Sequence, residues 1–178
     1  MSKIWKRSLA GLAIGLAAQG VQAAPVVQPI ASFGGSEYAR VDDSAQVSWT
    51  AASAAVAAMG GGWHLATITT AAENTFVETT VLGAGAADRS HYWIGATDAA
   101  VEGTFAWVTG EPFSFADWGG GEPNNLGNED YLAYDYRAGI GWVWNDAPDN
   151  IASSYPNFGK GYVIERRVGT AVPLPGVL

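Results

Sequence analysis

Five side chains that carry oxygen donors, Glu122, Asn124, Glu129, Asn145 and Asp146, lie between positions 122 and 146 of this chain. They sit in segments rich in Gly and Pro, opening on Glu122-Pro123-Asn124 and closing on Trp144-Asn145-Asp146. Hard cations such as calcium take roughly six to eight oxygen ligands from carboxylates, amide carbonyls and water, and loops supply them readily. No Cys or His belongs to the set, which argues against zinc and copper. Each Asn adds an NH2 donor beside its carbonyl acceptor. A site of this kind can bind a cation and also hydrogen-bond the hydroxyl groups of a second ligand.

The elements that must position these residues fall into two halves. Glu37–Val41 reads as a short strand. Ser48–Met59 is Ala-rich, with Trp49, Ala52, Val56 and Met59 at helical spacing, and Gly60-Gly61-Gly62 ends it. His64–Ile68 is a brief extended stretch. The spacing predicts a second amphipathic helix over Thr70–Leu82, with Ala72, Phe76, Val77 and Val81 on one side and a Thr70-x-x-Glu73 capping box. From Tyr92 onward the pattern changes to short strands: Tyr92–Ala96, Phe105–Val108, Tyr131–Tyr134, Gly141–Trp144 and Tyr162–Arg166. Two helices followed by an antiparallel meander with long loops predict an α+β domain.

The ends of the chain differ from its middle. Lys3, Lys6 and Arg7 precede an apolar stretch, Leu9–Ala18, too short to span a bilayer, and Val21-Gln22-Ala23 places small residues before a cleavage point. Residues 1–23 are therefore expected to be a signal peptide that directs export, followed by a loose lead-in over 24–35. Cleavage would remove three of the nine basic residues and none of the 17 acidic ones. The remaining chain is strongly acidic, which disfavours nucleic acid and anionic membrane as partners and suits a secreted cation-binding protein. The same acidity also serves solubility. The chain has no Cys, which removes thiol nucleophiles, thiolate metal sites and disulfides from consideration, and a domain of this size does not require disulfides.

Taken in order, these residues resemble the C-type lectin-like domain. The first half matches through Trp49-x-x-Ala52, Gly61-Gly62…Leu65-Ala66-Thr67 and Glu73-Asn74. The middle matches through Tyr92-Trp93-Ile94-Gly95, Thr97-Asp98 and Glu102-Gly103-Thr104-Phe105. The end matches through Trp118, Glu122-Pro123-Asn124, Glu129-Asp130, Trp144-Asn145-Asp146 and Tyr162-Val163-Ile164-Glu165. The resemblance spans residues 36–167. It implies a compact α+β fold with a long loop region, and a principal calcium site at Glu122, Asn124, Glu129, Asn145 and Asp146.

In that family, vicinal sugar hydroxyls coordinate the calcium and hydrogen-bond to the same side chains, here Glu122, Asn124, Glu129 and Asn145. The Glu-Pro peptide bond is usually cis. The order Glu-Pro-Asn resembles members that prefer mannose-type sugars: mannose, glucose, N-acetylglucosamine or fucose. Galactose-binding members typically carry Gln-Pro-Asp. Asp98, Glu102, Asn125, Glu129 and Asp130 match an auxiliary calcium site, with Asn125 where an Asp is more usual. Asp98 and Glu102 read equally as a solvated turn.

The chain departs from the family at its disulfides, whose positions are taken by Val56, Ile164 and Tyr131, and in the longer stretch Ala147–Lys160. Trp49, Trp93, Trp107 and Trp144 are expected in the core. Trp142 and Tyr155 lie near the site in sequence and either stack on a sugar ring or pack inside; His64 and His91 read as structural. The apolar tail 168–178, with Val172-Pro173-Leu174-Pro175, resembles the start of a PEP-CTERM sorting signal, which would imply a bacterial surface or matrix setting with exopolysaccharide nearby and a membrane link only through an anchor beyond Leu178.

The function expected is calcium-dependent carbohydrate binding without catalysis. The alternative is an adhesion or matrix domain that binds protein, with calcium as a structural ion only. Glu122 and Glu129 also have the residue types of a glycosidase pair, but a cation-bound carboxylate is a poor general acid. No Ser-His-Asp set or phosphate-binding loop stands out.

Overall fold

The computed structural model describes residues 23–149 and 157–169. Strands β1 (Val26–Val27), β2 (Ala31–Phe33) and β3 (Ser36–Asp42) come first, then helix α1 (Trp49–Met59) and β4 (His64–Leu65). Helix α2 (Ala71–Phe76) runs into a π-helical turn, Val77–Leu82. The remaining strands are β5 (His91–Thr97), β6 (Ala106–Trp107), β7 (Tyr131–Arg137), β8 (Gly141–Ala147) and β9 (Gly161–Arg167). Among the described residues no helix is long and apolar enough to cross a membrane.

The strands form a single sheet whose main path runs β1-β3-β9-β5-β7-β8. This corrects the expected antiparallel meander in one respect. β9 pairs parallel with β5 through Tyr92↔Gly161 and Trp93↔Tyr162, so the sheet is mixed and the last strand lies in its middle. The lead-in is also more ordered than its composition implied: β1 and β2 both pair with β3, through Val26↔Asp42 and Ala31↔Tyr38. Pro and Gln fall between the two short strands, and Val26–Val27 and Ala31–Phe33 take the available sheet edge.

Adjacent residues of the central strands enter different core clusters. Ile94, Leu132 and Val163 pack with Trp107, Trp142 and Trp144, whereas Trp93, Ala133 and Ile164 pack with Trp49 and Val56. Because successive strand side chains point to opposite faces, both faces of the sheet are covered, and Tyr162, Val163 and Ile164 are buried in succession on β9. Val56 and Ile164, expected at former disulfide positions, are both buried in the second cluster, and Tyr131 stacks on Trp49 at 4.9 Å between centroids. Trp49, Trp93, Trp107 and Trp144 are all buried, as expected. Gly95 permits one close approach: a Cβ there would lie 2.5 Å from the Leu65 carbonyl oxygen.

The helices follow their caps. Ser48 accepts from the Ala51 amide at 3.2 Å and Gly60, at φ 65°, ends α1. Thr70 accepts from the Glu73 amide at 3.2 Å. The second helix differs from expectation in its shape and in its buried side. Ala72 is exposed, and Glu73, Asn74, Val77 and Leu82 face inward. The five-residue repeat of the π turn keeps Val77 and Leu82 on one buried side. Two polar residues can be buried because each is satisfied. Glu73 accepts from the Thr69 amide and the Tyr38 hydroxyl, and the Asn74 carbonyl accepts from the Tyr134 hydroxyl and the Trp144 indole.

Candidate functional site

Trp144 organises the carboxylate-bearing loops. Its ring is fully buried and meets Trp107, Phe113, Phe115, Trp118 and Tyr134 at centroid distances of 5.5–6.2 Å. Its backbone accepts from the Gly119 amide at 2.8 Å and donates to the Asp117 carbonyl at 2.8 Å. The segment leading into Glu122 is thereby tied to β8 just before Asn145 and Asp146. Packing of one aromatic residue thus places two motifs, distant in the chain, beside each other.

The Glu122–Pro123 peptide bond is cis, in line with the resemblance. Beyond it, the buried carboxylate of Asp146 accepts from the Asn124 amide with both oxygens at 3.1 Å and from the Asn125 amide at 2.7 Å. The Asn124 carbonyl oxygen accepts from the Leu126 amide at 2.8 Å, and Glu129 Oε2 accepts from that same amide at 3.0 Å. Asn124 Nδ2 donates to Glu122 Oε2. Glu122, Asn124, Glu129 and Asp146 are therefore linked in one network, and Asn145 follows Trp144 on the same strand. Burial pushes Glu129 up to about 7, with the Asp146 and Glu122 charges adding to the rise and the Leu126 hydrogen bond opposing it.

This donor set fits a hard cation: three carboxylates and two amide carbonyls, with oxygen as the sole ligand type. A cation would offset the Asp146 and Glu122 charges that add to the effect of burial on Glu129. Among the described residues, no three Asp, Glu, His or Cys side chains form a group that could hold a metal by themselves. The three carboxylates are thus not gathered around one point as they stand, and one Glu122 oxygen is engaged outside the set. Glu122 Oε1 accepts from Arg137 Nη2 at 2.7 Å.

The auxiliary residues are less gathered. Asp98 is buried; its amide donates to the Asp130 carbonyl at 3.1 Å, and its Oδ2 accepts from the Gly103 amide at 2.8 Å. Among the described residues Asp98 Oδ1 is buried with no hydrogen-bond partner, an arrangement that suits a cation ligand. The Asn125 carbonyl is committed to the Glu129 amide at 2.7 Å, Asp130 accepts from Asn128, and Glu102 lies exposed on the turn.

Trp142 requires a correction. Expected beside the sugar, it is instead buried, donates its indole N–H to the Gly83 carbonyl at 2.8 Å and meets the rings of Tyr92, Tyr134 and Tyr136. It shares the strand face of Trp144, two residues on, so the packing that buries Trp144 also turns Trp142 inward. Tyr155, the other stacking candidate, lies outside the described residues, as do 1–22 and 170–178. His91 faces Asp135 at 3.0 Å and is structural.

A family model described as the lectin C-type domain matches residues 45–155. The chain belongs to the C-type lectin domain family. This lectin domain is similar to lectin BRA-3 of Megabalanus rosa, at 35% identity over 101 residues, 57% of this chain and 58% of that one. It is 38% identical over 89 residues to C-type lectin domain family 4 member K of Homo sapiens, covering 48% and 25% of the two chains. An alpha-N-acetylgalactosamine-specific lectin of Patiria pectinifera is 34% identical over 92 residues, 52% of this chain and 55% of that protein. The lectin domain therefore spans between a quarter and three-fifths of these relatives' lengths. They are lectins by name, which are binding proteins and not enzymes.

Among solved structures, the EPNH mutant of CEL-I superimposes with a TM-score of 0.62 at 26% identity, covering 76% of this chain and 92% of that one. The cow CD23 carbohydrate-recognition domain, determined in the presence of a GlcNAc2Man3 oligosaccharide, gives 0.60 at 23% identity, covering 83% and 98%. At that identity the likeness establishes the fold alone.

Sequence reasoning missed Arg137. Its Nη2 also lies 3.3 Å from Asn145 Oδ1, its Nη1 donates to the Gly120 carbonyl at 3.2 Å and its Nε donates to Asp135 at 3.0 Å. One signal was available: Asp135 and Arg137, two apart on a strand, share a face. Burial disfavours the charged guanidinium, but its bonds to Asp135 and Glu122 outweigh this and keep it charged.

Proposed function

We propose that this domain binds carbohydrate through a calcium ion held by Glu122, Asn124, Glu129, Asn145 and Asp146. The observation that carries the reading is the hold of Asp146 on the Asn124 and Asn125 amides, which brings the Glu122-Pro123-Asn124 turn against the end of β8. Calcium, when bound, supplies the centre that vicinal hydroxyls coordinate. The chain's own residues supply the rest. Glu122 accepts from a hydroxyl hydrogen while Asn124 and Asn145 donate to a hydroxyl oxygen, so cation and sugar are read by the same groups. The Glu-Pro-Asn order favours mannose-type sugars: mannose, glucose, N-acetylglucosamine or fucose. Asp98, Glu102, Asn125, Glu129 and Asp130 are assigned to an auxiliary ion, supported by the unpartnered Asp98 oxygen.

The setting follows from the ends of the chain. Residues 1–23 are assigned as a signal peptide and 168–178 as part of a sorting signal, which places the lectin domain outside a bacterial cell, near exopolysaccharide.

Calorimetry with mannose in calcium and in chelator is the test. Weak binding that disappears in chelator is expected. No binding in either condition across a broad glycan panel would sink the sugar reading. Asn124→Ala should abolish sugar binding, whereas a protein-binding matrix domain would keep its partner.

A further inference from the structure

We propose that Arg137 is a tethered cation that shares the ligand cage with calcium, so that the ion enters by displacing the guanidinium. The proposal rests on the calcium reading above. A single nitrogen, Nη2, lies 2.7 Å from Glu122 Oε1 and 3.3 Å from Asn145 Oδ1, and so addresses two of the five donor side chains. The other Glu122 oxygen accepts from Asn124 Nδ2, so both oxygens are engaged and an incoming ion must release one. Arg does not lose its proton in proteins. Its charge therefore opposes a second cation in the same cage.

Two further features fit this role. Gly119 makes room for the guanidinium: a Cβ at that position would lie 2.7 Å from Arg137 Cζ and Nη1. Asp135, which holds Arg137 Nε, also faces Arg89 Nη1 at 2.7 Å and His91 Nε2 at 3.0 Å. When Arg137 withdraws, that buried carboxylate keeps charged and polar neighbours. The guanidinium can thus leave the cage without stranding the group that anchors it.

Calcium titration of the full chain by calorimetry tests the proposal, with Arg137→Met, Arg137→Lys and Gly119→Ala alongside the unaltered protein. Arg137→Met should bind calcium at least roughly tenfold tighter, within the usual range for coupling between two competing ligands. Arg137→Lys, which keeps a flexible charge, should fall between them. Gly119→Ala retains the arginine but pushes it aside, and should also tighten binding several-fold. In chelator, Arg137→Met should melt below the unaltered protein, with the difference shrinking or reversing in calcium. Equal or weaker calcium binding by Arg137→Met overturns this proposal alone. If Arg137→Met does not fold, equal or weaker binding by Gly119→Ala does the same. Absence of calcium binding in every protein overturns the calcium reading and this proposal with it.

Discussion

The carboxylate of Asp146, near the end of β8, holds the backbone amide of Asn124 with both of its oxygens at 3.1 Å. A strand residue thus sets the shape of a loop that leaves the sheet well before it. Asp146 is both a candidate ligand and the group that orients another. Asp146→Ala should weaken calcium binding by about 100-fold or more, at the upper end of losses seen when groups that support a metal site are removed. Calcium titration checks this, and an unchanged affinity would remove Asp146 from the site.

Sugar preference should follow Glu122 and Asn124. The double substitution Glu122→Gln and Asn124→Asp exchanges the amide and the carboxylate across Pro123, reversing which side donates and which accepts. Competition with free monosaccharides should show mannose losing rank to galactose. Retained mannose preference would mean that contacts elsewhere set specificity.

Trp144 should carry much of the stability. It is fully buried among five aromatic rings, with its indole bonded to Asn74. Trp144→Ala should cost about 3–5 kcal/mol, read from urea unfolding, and should weaken calcium binding because the ring contact with Trp118 that seats the following loop against β8 is lost. A loss below about 1 kcal/mol would contradict the central role given to this ring.

Stability should fall as pH rises from 4.5 to about 7. Burial pushes Glu78 up from 4.5 to about 7, aided by the neighbouring Asp117 and opposed by a hydrogen bond from Asn74. Between those values the folded chain binds more protons than the unfolded chain. This contribution is therefore complete at pH below 4.5 and is lost as pH rises to about 7. Glu78→Gln should flatten that part of the profile, measured as melting temperature against pH in chelator. An unchanged slope would assign the dependence to other groups.

The candidate site was legible because its ligands are recognised by type and spacing. Glu122-Pro123-Asn124, Glu129 and Asn145-Asp146 could be proposed without coordinates, and the tryptophans Trp49, Trp93, Trp107 and Trp144 were placed in the core by the motifs around them. Trp142 was misplaced because its proximity in sequence to Asn145 says little about direction. Facing the core or a ligand is decided by the strand alternation it shares with Trp144. The second helix was misread for a related reason. Periodicity counts apolar residues, but Glu73 and Asn74 are buried through hydrogen bonds to Thr69, Tyr38, Tyr134 and Trp144.

By itself the sequence determined the α+β class and offered the residue types of a candidate donor set, since both depend on local pattern and residue type. Only the tertiary structure decided that β9 runs parallel beside β5, that residues 26–33 join the sheet and that Arg137 reaches Glu122 and Asn145. The β5–β9 pairing is long-range, and no short window of sequence contains both partners. The β2–β3 hairpin and the Arg137–Asn145 contact are closer in sequence, but which side chains and edges meet there is set by packing against the rest of the sheet.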